Sequence, residues 1–184
     1  MKEKYGLHAS WAVWPDAGDT PKSNMGDLGI FETGAILSKL NPNIILVGLN
    51  FSKSDVVNEP FQNFHGSGGG AYKIRYALQD TLLWGAYMTD IIKDFPEEES
   101  KNVMSYLNAN PSLVAENVMS FQQELRDVGA SQPTVVAFGG DAFSIVNKAL
   151  GETLAVFRVI HYSHYISKEK YREHIAERIT DFSF

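Results

Sequence analysis

Asn50, Asp90 and His161 are polar residues within or directly after apolar segments, and their types suit the binding of a polar ligand. An amide both donates and accepts hydrogen bonds, an ionised carboxylate only accepts, and an imidazole does either according to its protonation. If the three segments are parallel strands of one sheet, these side chains converge on a crevice at the carboxyl ends of the strands. The elements that carry them therefore decide whether they form a site.

Strand-like and helix-like segments alternate along the chain. The apolar runs of strand length are Ile44–Leu49, Ala86–Ile92, Thr134–Phe138 and Ala155–Ile160. Apolar periodicity and flanking residues predict helices over Ile30–Leu40, Tyr72–Leu83, Ser112–Val128, Asp141–Leu150 and Lys168–Thr180. This alternation predicts an α/β fold in which helices cover both faces of a parallel sheet.

Composition limits the class of protein. With 184 residues, 44% of them hydrophobic, the chain can bury a full core, and we expect a single domain over residues 1–184. The net charge of −6 argues against a broad positive surface that coats nucleic acid, and the absence of cysteine excludes disulfides, thiolate metal sites and thiol nucleophiles. The N-terminal segment lacks an apolar signal core and no apolar stretch reaches membrane-spanning length, so we expect a cytoplasmic protein without a membrane partner.

Four segments of this chain resemble motifs of the uracil-DNA glycosylase superfamily. That superfamily has Gly-x-(Asp/Asn)-Pro-(Tyr/Gly/Ser) after its first sheet strand and His-Pro-Ser after its last, where this chain has Gly-Leu-Asn-Phe-Ser at 48–52 and His-Tyr-Ser at 161–163. GAYMTDIIKDFP resembles its Thr-Asn-x-x-Lys segment, and VVAFGGDAF resembles its glycine-ending strand before the next helix. Phe51 and Tyr162 replace the two motif prolines, and Asp90 replaces the base-reading asparagine. The resemblance implies a three-layer α/β/α domain with a four-stranded parallel sheet in the order 2-1-3-4.

The resemblance also implies catalytic and phosphate-binding roles for particular residues. His161 would donate a hydrogen bond to a departing base, and Asn50 would hold the attacking water without acting as a base, because an amide accepts no proton at neutral pH. Ser52 and Ser163 would contact the phosphates that flank the target nucleotide, which requires little positive charge. The implied function is nucleobase or nucleotide binding at the strand ends, with hydrolysis of an N-glycosidic bond in DNA.

Three further residues are candidates for contact with the base. Phe61 or Phe64 would stack on a base that has been flipped out of the DNA double helix. Asp90 differs from asparagine because an ionised carboxylate only accepts hydrogen bonds and would repel the O4 oxygen of uracil. Either burial keeps Asp90 protonated or the ligand offers two donors there, as an amino-bearing base does.

Other interpretations of the same residues stay open. A catalytically inactive nucleic-acid or nucleotide binding module on the same fold would keep the pocket without the chemistry, and an unrelated nucleotide binder would match the motifs by accident. Asn50 could simply end a strand. The sequence HGSGGG at 65–70 lacks the Lys-Ser/Thr end of a Walker loop and is typical of a flexible flap. We predict no cofactor and no metal site, and the sequence leaves the oligomeric state open.

Overall fold

The polar residues named above lie on a twisted sheet whose strands are joined by helices. The computed structural model describes residues 1–51, 57–66, 68–93, 95, 97 and 99–180. The strands are β1 (Ser10–Trp11), β2 (Asn41–Asn50), β3 (Ala86–Ile92), β4 (Thr134–Phe138) and β5 (Val156–Val159). The helices are α1 (Lys2–Tyr5), α2 (Ala71–Leu78), α3 (Ser100–Ala109), α4 (Pro111–Asp127), α5 (Gly140–Leu150) and α6 (Lys168–Ile179).

The sheet is mixed and has five strands in the order β1-β3-β2-β4-β5. The prediction of four parallel strands in the order 2-1-3-4 is therefore wrong in strand number and in the order of the whole sheet. The difference comes from β1, which is only two residues long and pairs antiparallel with the edge of β3. It covers backbone groups that an edge strand would otherwise expose. The other four strands run parallel in the order β3-β2-β4-β5.

Two apolar clusters lie on opposite faces of the sheet, because side chains alternate along each strand. On one face, Ile45 and Val47 of β2 pack in a cluster that also holds residues of α3, α4 and α5. On the other face, Ile44 and Leu46 pack in a cluster with residues of α2 and α6. Helices thus cover both faces, as the alternation predicted, and the second face continues along β2 to Gly48 and Asn50.

The helices differ from the sequence prediction at four places, two of which are helices that the sequence did not predict, α1 and α3. The segment predicted as a helix over Ile30–Leu40 forms two 3-10 turns, Gly29–Glu32 and Gly34–Lys39, because Thr33 between them is extended, with φ −91° and ψ 125°. Helix α2 ends at Leu78, since Gln79 is extended and Asp80 has a φ of +64°. Among the described residues, no helix combines the length and apolarity that crossing a bilayer requires.

Candidate functional site

A small cavity lies at the carboxyl ends of β2 and β3, on the face covered by α2. Its described lining is Asn50, Asn63, Phe64, Gly66, Gly68, Gly69, Ala71, Asp90 and Tyr162. The cavity volume is about 60 Å³, room for about two water molecules, since each takes about 30 Å³ in the liquid. A planar base is larger than this volume, so it would enter only if the lining changed position.

Asp90 is the buried acid of this cavity. It lies beside Gly48 in the parallel register of β2 and β3, and only 5% of the residue is exposed. Nδ2 of Asn63 donates a hydrogen bond of 3.1 Å to its Oδ2. Burial raises the pKa of Asp90 to about 6, although the Asn63 hydrogen bond and the charge of Lys93 both lower it. The carboxyl therefore changes charge close to neutral pH.

Gly48 makes the position of Asp90 possible. A Cβ at residue 48 would overlap Oδ1 of Asp90 and would lie 3.8 Å from the ring of Phe64. The glycine in Gly-Leu-Asn-Phe-Ser thus leaves space that the carboxyl and the aromatic ring fill. This packing gives a physical reason for glycine at that motif position.

Asn50 ends β2 with its amide nitrogen held by the backbone. Its Nδ2 lies 2.7 Å from the carbonyl oxygen of Glu97, 3.0 Å from that of Phe95 and 3.1 Å from that of Phe51. Because Nδ2 is directed at carbonyl oxygens, the amide oxygen is the atom of Asn50 that suits contact with a ligand or water. Asn50 therefore does more than terminate a strand, since it also joins β2 to the segment that follows β3.

The two candidate stacking residues lie in different places. Phe64 lines the cavity, whereas Phe61 belongs to the apolar cluster on the opposite face. The centroid of the Phe61 ring lies 4.9 Å from that of the Phe31 ring. Both have positive φ, +73° for Phe61 and +69° for Phe64, which bulky residues rarely adopt. Local backbone strain of this kind often accompanies functional sites. Of the two, Phe64 is the residue whose ring could meet a bound base.

His161 lies on the turn after β5 and is held as a neutral ring. The backbone N–H of Ser163 donates to its Nδ1 at 3.2 Å, and Oγ of Ser163 lies 2.8 Å from the same atom. Burial lowers the pKa of His161 to about 4, so the ring carries one proton at neutral pH. Because Nδ1 accepts a hydrogen bond, that proton is on Nε2, which is then a donor.

His161 lines a different cavity from Asn50 and Asp90. Tyr162 lines the small cavity, whereas His161 lines a larger one beside α6. The structure thus brings Asn50, Phe64 and Asp90 together and leaves His161 one residue away from their cavity. Among the phosphate-contact candidates, Ser163 is exposed and pairs with His161, and Ser52 lies outside the described residues.

Lys73 of α2 fixes the turn that carries His161. Its Nζ donates to the carbonyl oxygens of Tyr162 at 3.0 Å and His164 at 2.9 Å, and the residue is only 8% exposed. The backbone also approaches closely here, because a Cβ at Gly70 would lie 2.8 Å from the carbonyl oxygen of Tyr162. The glycine segment before α2 and the His-Tyr-Ser turn are therefore in direct contact.

Sequence reasoning missed Asn63 and the buried charges next to the site. Glu124 of α4 is fully buried, accepts from the Tyr87 hydroxyl at 2.6 Å and from Thr89 Oγ1 at 2.8 Å, and pairs with Lys93 at 2.7 Å. The signal for Asn63 was its place between two aromatic residues in PFQNFHG. The charged pair had no such signal, because Lys93 and Glu124 are far apart in sequence.

Comparison with known proteins identifies no relative of this chain. No protein-family model matches the chain, and neither a curated protein nor a solved structure matches it. The functional argument therefore depends on the geometry of the site.

Proposed function

We propose that the protein is uracil-DNA-glycosylase-like, binds a nucleobase or nucleotide at the carboxyl ends of β2 and β3, and hydrolyses its N-glycosidic bond. The observation that carries this proposal is the grouping of Asn50, Asp90 and Phe64 around one cavity that Tyr162, the neighbour of His161, also lines. An aromatic face beside hydrogen-bonding groups is the combination that a flipped base requires. The order of the four parallel strands supports the same fold assignment.

The chemistry needs stabilisation of charge at two positions. When the bond from the base to C1′ of the sugar breaks, the base departs with the bonding electrons and the sugar becomes cationic. The N–H at Nε2 of His161 donates to a carbonyl oxygen of the departing base, and a neutral imidazole suffices for this. The amide oxygen of Asn50 orients the water whose oxygen bonds to C1′, and the proton of that water passes to solvent. Because no general base acts, turnover is slow.

Asp90 selects the base by its hydrogen-bonding edge. In its ionised form the carboxylate accepts two hydrogen bonds, which matches an amino group and an adjacent donor on the ligand. Uracil presents an oxygen to this position and is repelled unless Asp90 is protonated. The preferred base is therefore amino-bearing at neutral pH, and uracil-like ligands gain at lower pH.

A non-catalytic binding module is the second candidate, and one observation favours it. His161 and Asn50 line separate cavities, so the donor and the water-holding amide do not face a common space before the site opens. If the turn that carries His161 keeps this position when a base binds, the protein holds the base without cleaving the bond. This candidate predicts binding without turnover.

The test is a base-release assay with wild-type protein, Asn50→Ala and His161→Ala. The substrates are single- and double-stranded oligonucleotides that contain uracil, hypoxanthine, xanthine or a mismatched thymine, cytosine or guanine, together with the corresponding nucleotides. Asn108→Ala is the control, because Asn108 is an exposed amide on α3. We expect release at least about a hundredfold lower in both site variants than in Asn108→Ala.

Two results would reject catalysis. Release that persists in both site variants would identify a contaminating enzyme, and binding without release of any base would support the non-catalytic module. His161→Gln tests the donor role further, because a glutamine amide can replace the ring N–H. Partial recovery relative to His161→Ala is expected.

A further inference from the structure

A second cavity, of about 480 Å³, lies at the carboxyl ends of β4 and β5, next to α6. Its cationic and imidazole lining residues are Arg158, Arg178, His161, His164 and His174. These are two of the five arginines and three of the five histidines of a chain whose net charge is −6. Among the described residues that line it, none is Asp or Glu. Two guanidiniums with no carboxylate among the described lining residues favour an anionic ligand.

Two of the imidazoles are held as hydrogen-bond donors. The backbone N–H of Ile160 donates to Nε2 of His174 at 3.0 Å, and the N–H of Ser163 donates to Nδ1 of His161. Burial lowers the pKa of both rings, and each neutral ring then has its proton on the other nitrogen. His174 therefore offers one N–H to a ligand in this cavity, whereas the N–H of His161 is the donor that the proposed catalysis uses. The five side chains also include no group of residues arranged to hold a metal ion.

Arg158 lies over the start of α5. A Cβ at Gly140 would lie 4.0 Å from Nη1 of Arg158, so the guanidinium is next to the first residue of that helix. The first N–H groups of an α-helix have no acceptor within the helix and carry partial positive charge. The neighbouring elements contribute the charges of Asp141, in the first turn of α5, and of Glu177 and Arg178, on α6. Arg178 lowers the pKa of His174, whereas Glu177 raises it.

We propose that this cavity binds a phosphate group, and that it favours a phosphomonoester, such as the 5′-phosphate of a nucleotide, over a phosphodiester. Two guanidiniums and a helix start match a dianion, whereas a phosphodiester has a single charge. The assignment of a phosphate site does not depend on the proposed function, whereas its extension to a nucleotide rests on that function. His161 lines this cavity and Tyr162 lines the small cavity that holds Asn50 and Asp90, so the two cavities adjoin the same turn.

The experiment measures binding calorimetrically at constant ionic strength with four probes. The probes are inorganic phosphate, a nucleoside 5′-monophosphate, its parent nucleoside, and a short oligonucleotide without terminal phosphate. The variants are Arg158→Gln and Arg178→Gln. Arg126→Gln is the control, because Arg126 lies on α4 and pairs there with Gln123. Thermal unfolding of each variant establishes that it is folded.

Wild-type protein and Arg126→Gln should bind the monophosphate at least about tenfold tighter than the nucleoside. Each cavity variant should lose most of that difference and bind inorganic phosphate about tenfold more weakly. If a variant does not fold, the salt dependence of phosphate binding to wild-type protein serves as the test in its place. Phosphate binding that does not change with salt concentration would overturn the proposal.

Equal affinity of wild-type protein for nucleoside and monophosphate would overturn the proposal. Equal losses in Arg126→Gln and Arg158→Gln would do so as well. An oligonucleotide that binds tighter than the monophosphate through Arg158 would reject the preference for a monoester. Phosphate binding that persists without any base release would reject the proposed catalysis while keeping this site.

Discussion

Nδ2 of Asn63 lies 3.1 Å from Oδ2 of Asp90, so a residue of the loop before α2 holds the buried acid of β3. The same nitrogen donates to the backbone oxygen of His8 at 2.8 Å. One amide thus connects the N-terminal segment, the loop and the sheet beside the small cavity that Asn63 and Asp90 line. Changes at Asp90 and its neighbours should therefore affect both stability and ligand choice.

Gly48→Ala should destabilise the protein by about 1–3 kcal/mol, because the added methyl group overlaps the carboxyl of Asp90. Chemical denaturation measures this free energy of unfolding. In an Asp90→Ala background the same substitution should cost less than about 0.5 kcal/mol, since the overlapping atoms are gone. Gly34→Ala is the matched control, because a Cβ there meets no atom within 4 Å. Equal costs of Gly48→Ala in the two backgrounds would contradict the packing described here.

Asp90→Asn should remove a pH dependence of stability. The pKa of Asp90 is raised from 3.8 to about 6, so between these values the native state binds more protons than the unfolded state. The contribution of Asp90 to the free energy of unfolding is therefore fully present below pH 4. It is lost as the pH rises through about 6, and the total loss is about 3 kcal/mol. Chemical denaturation at pH 4 and at pH 7 measures this loss. Between the two pH values, the free energy of unfolding of Asp90→Asn should rise relative to that of wild-type protein by about that amount. Asp19→Asn, at an exposed position, provides the comparison, and an equal gain there would refute the assignment to Asp90.

Lys93→Met should cost about 3–5 kcal/mol, because it leaves the fully buried Glu124 without its cation. Urea denaturation measures the loss. The double variant Lys93→Met/Glu124→Gln should recover most of it, since the uncompensated charge is then absent. Lys4→Met removes the cation of the exposed Lys4 and Asp127 pair and should change stability little. A small effect of Lys93→Met would mean that the buried pair is not an essential contact.

Lys73→Met should loosen the turn that carries His161, because the carbonyl oxygens of Tyr162 and His164 lose their shared donor. Each hydrogen bond contributes about 0.5–1.5 kcal/mol to the local stability of the turn. Hydrogen exchange is the suitable measurement, since the N–H of His164 donates to the carbonyl of His161 within this turn. That amide should exchange faster in Lys73→Met and unchanged in Lys101→Met, whose lysine is exposed on α3. Unchanged exchange in Lys73→Met would show that the turn holds its shape alone.

The sequence predicted the strands well because their patterns are local. Ala86–Ile92 and Thr134–Phe138 match the observed bounds, since runs of β-branched and aromatic residues specify buried strands. It could not predict β1, because a strand of two residues has no periodicity and exists only through pairing with β3. The break at Thr33 was likewise invisible, because apolar spacing continues across it.

The candidate site was predictable only in part. Asn50 and Asp90 occur at the ends of apolar runs, and parallel pairing brings neighbouring strand ends together. The sequence did not separate Phe61 from Phe64, because both flank the same short loop and their opposite directions depend on backbone angles with positive φ. The contact of Asn63 with Asp90 and the separate cavity of His161 depend on tertiary packing alone.

A crystal structure of the protein soaked with an amino-bearing nucleobase tests the central proposal most directly. We predict that the glycine segment before α2 moves outward, that the base stacks on Phe64 with its amino group about 3 Å from the carboxylate of Asp90, and that Nε2 of His161 lies about 3 Å from a base oxygen. The amide oxygen of Asn50 should hold a water on the side of the missing sugar. A base bound elsewhere, or a His161 ring that stays beyond hydrogen-bond reach of the base, would contradict the account.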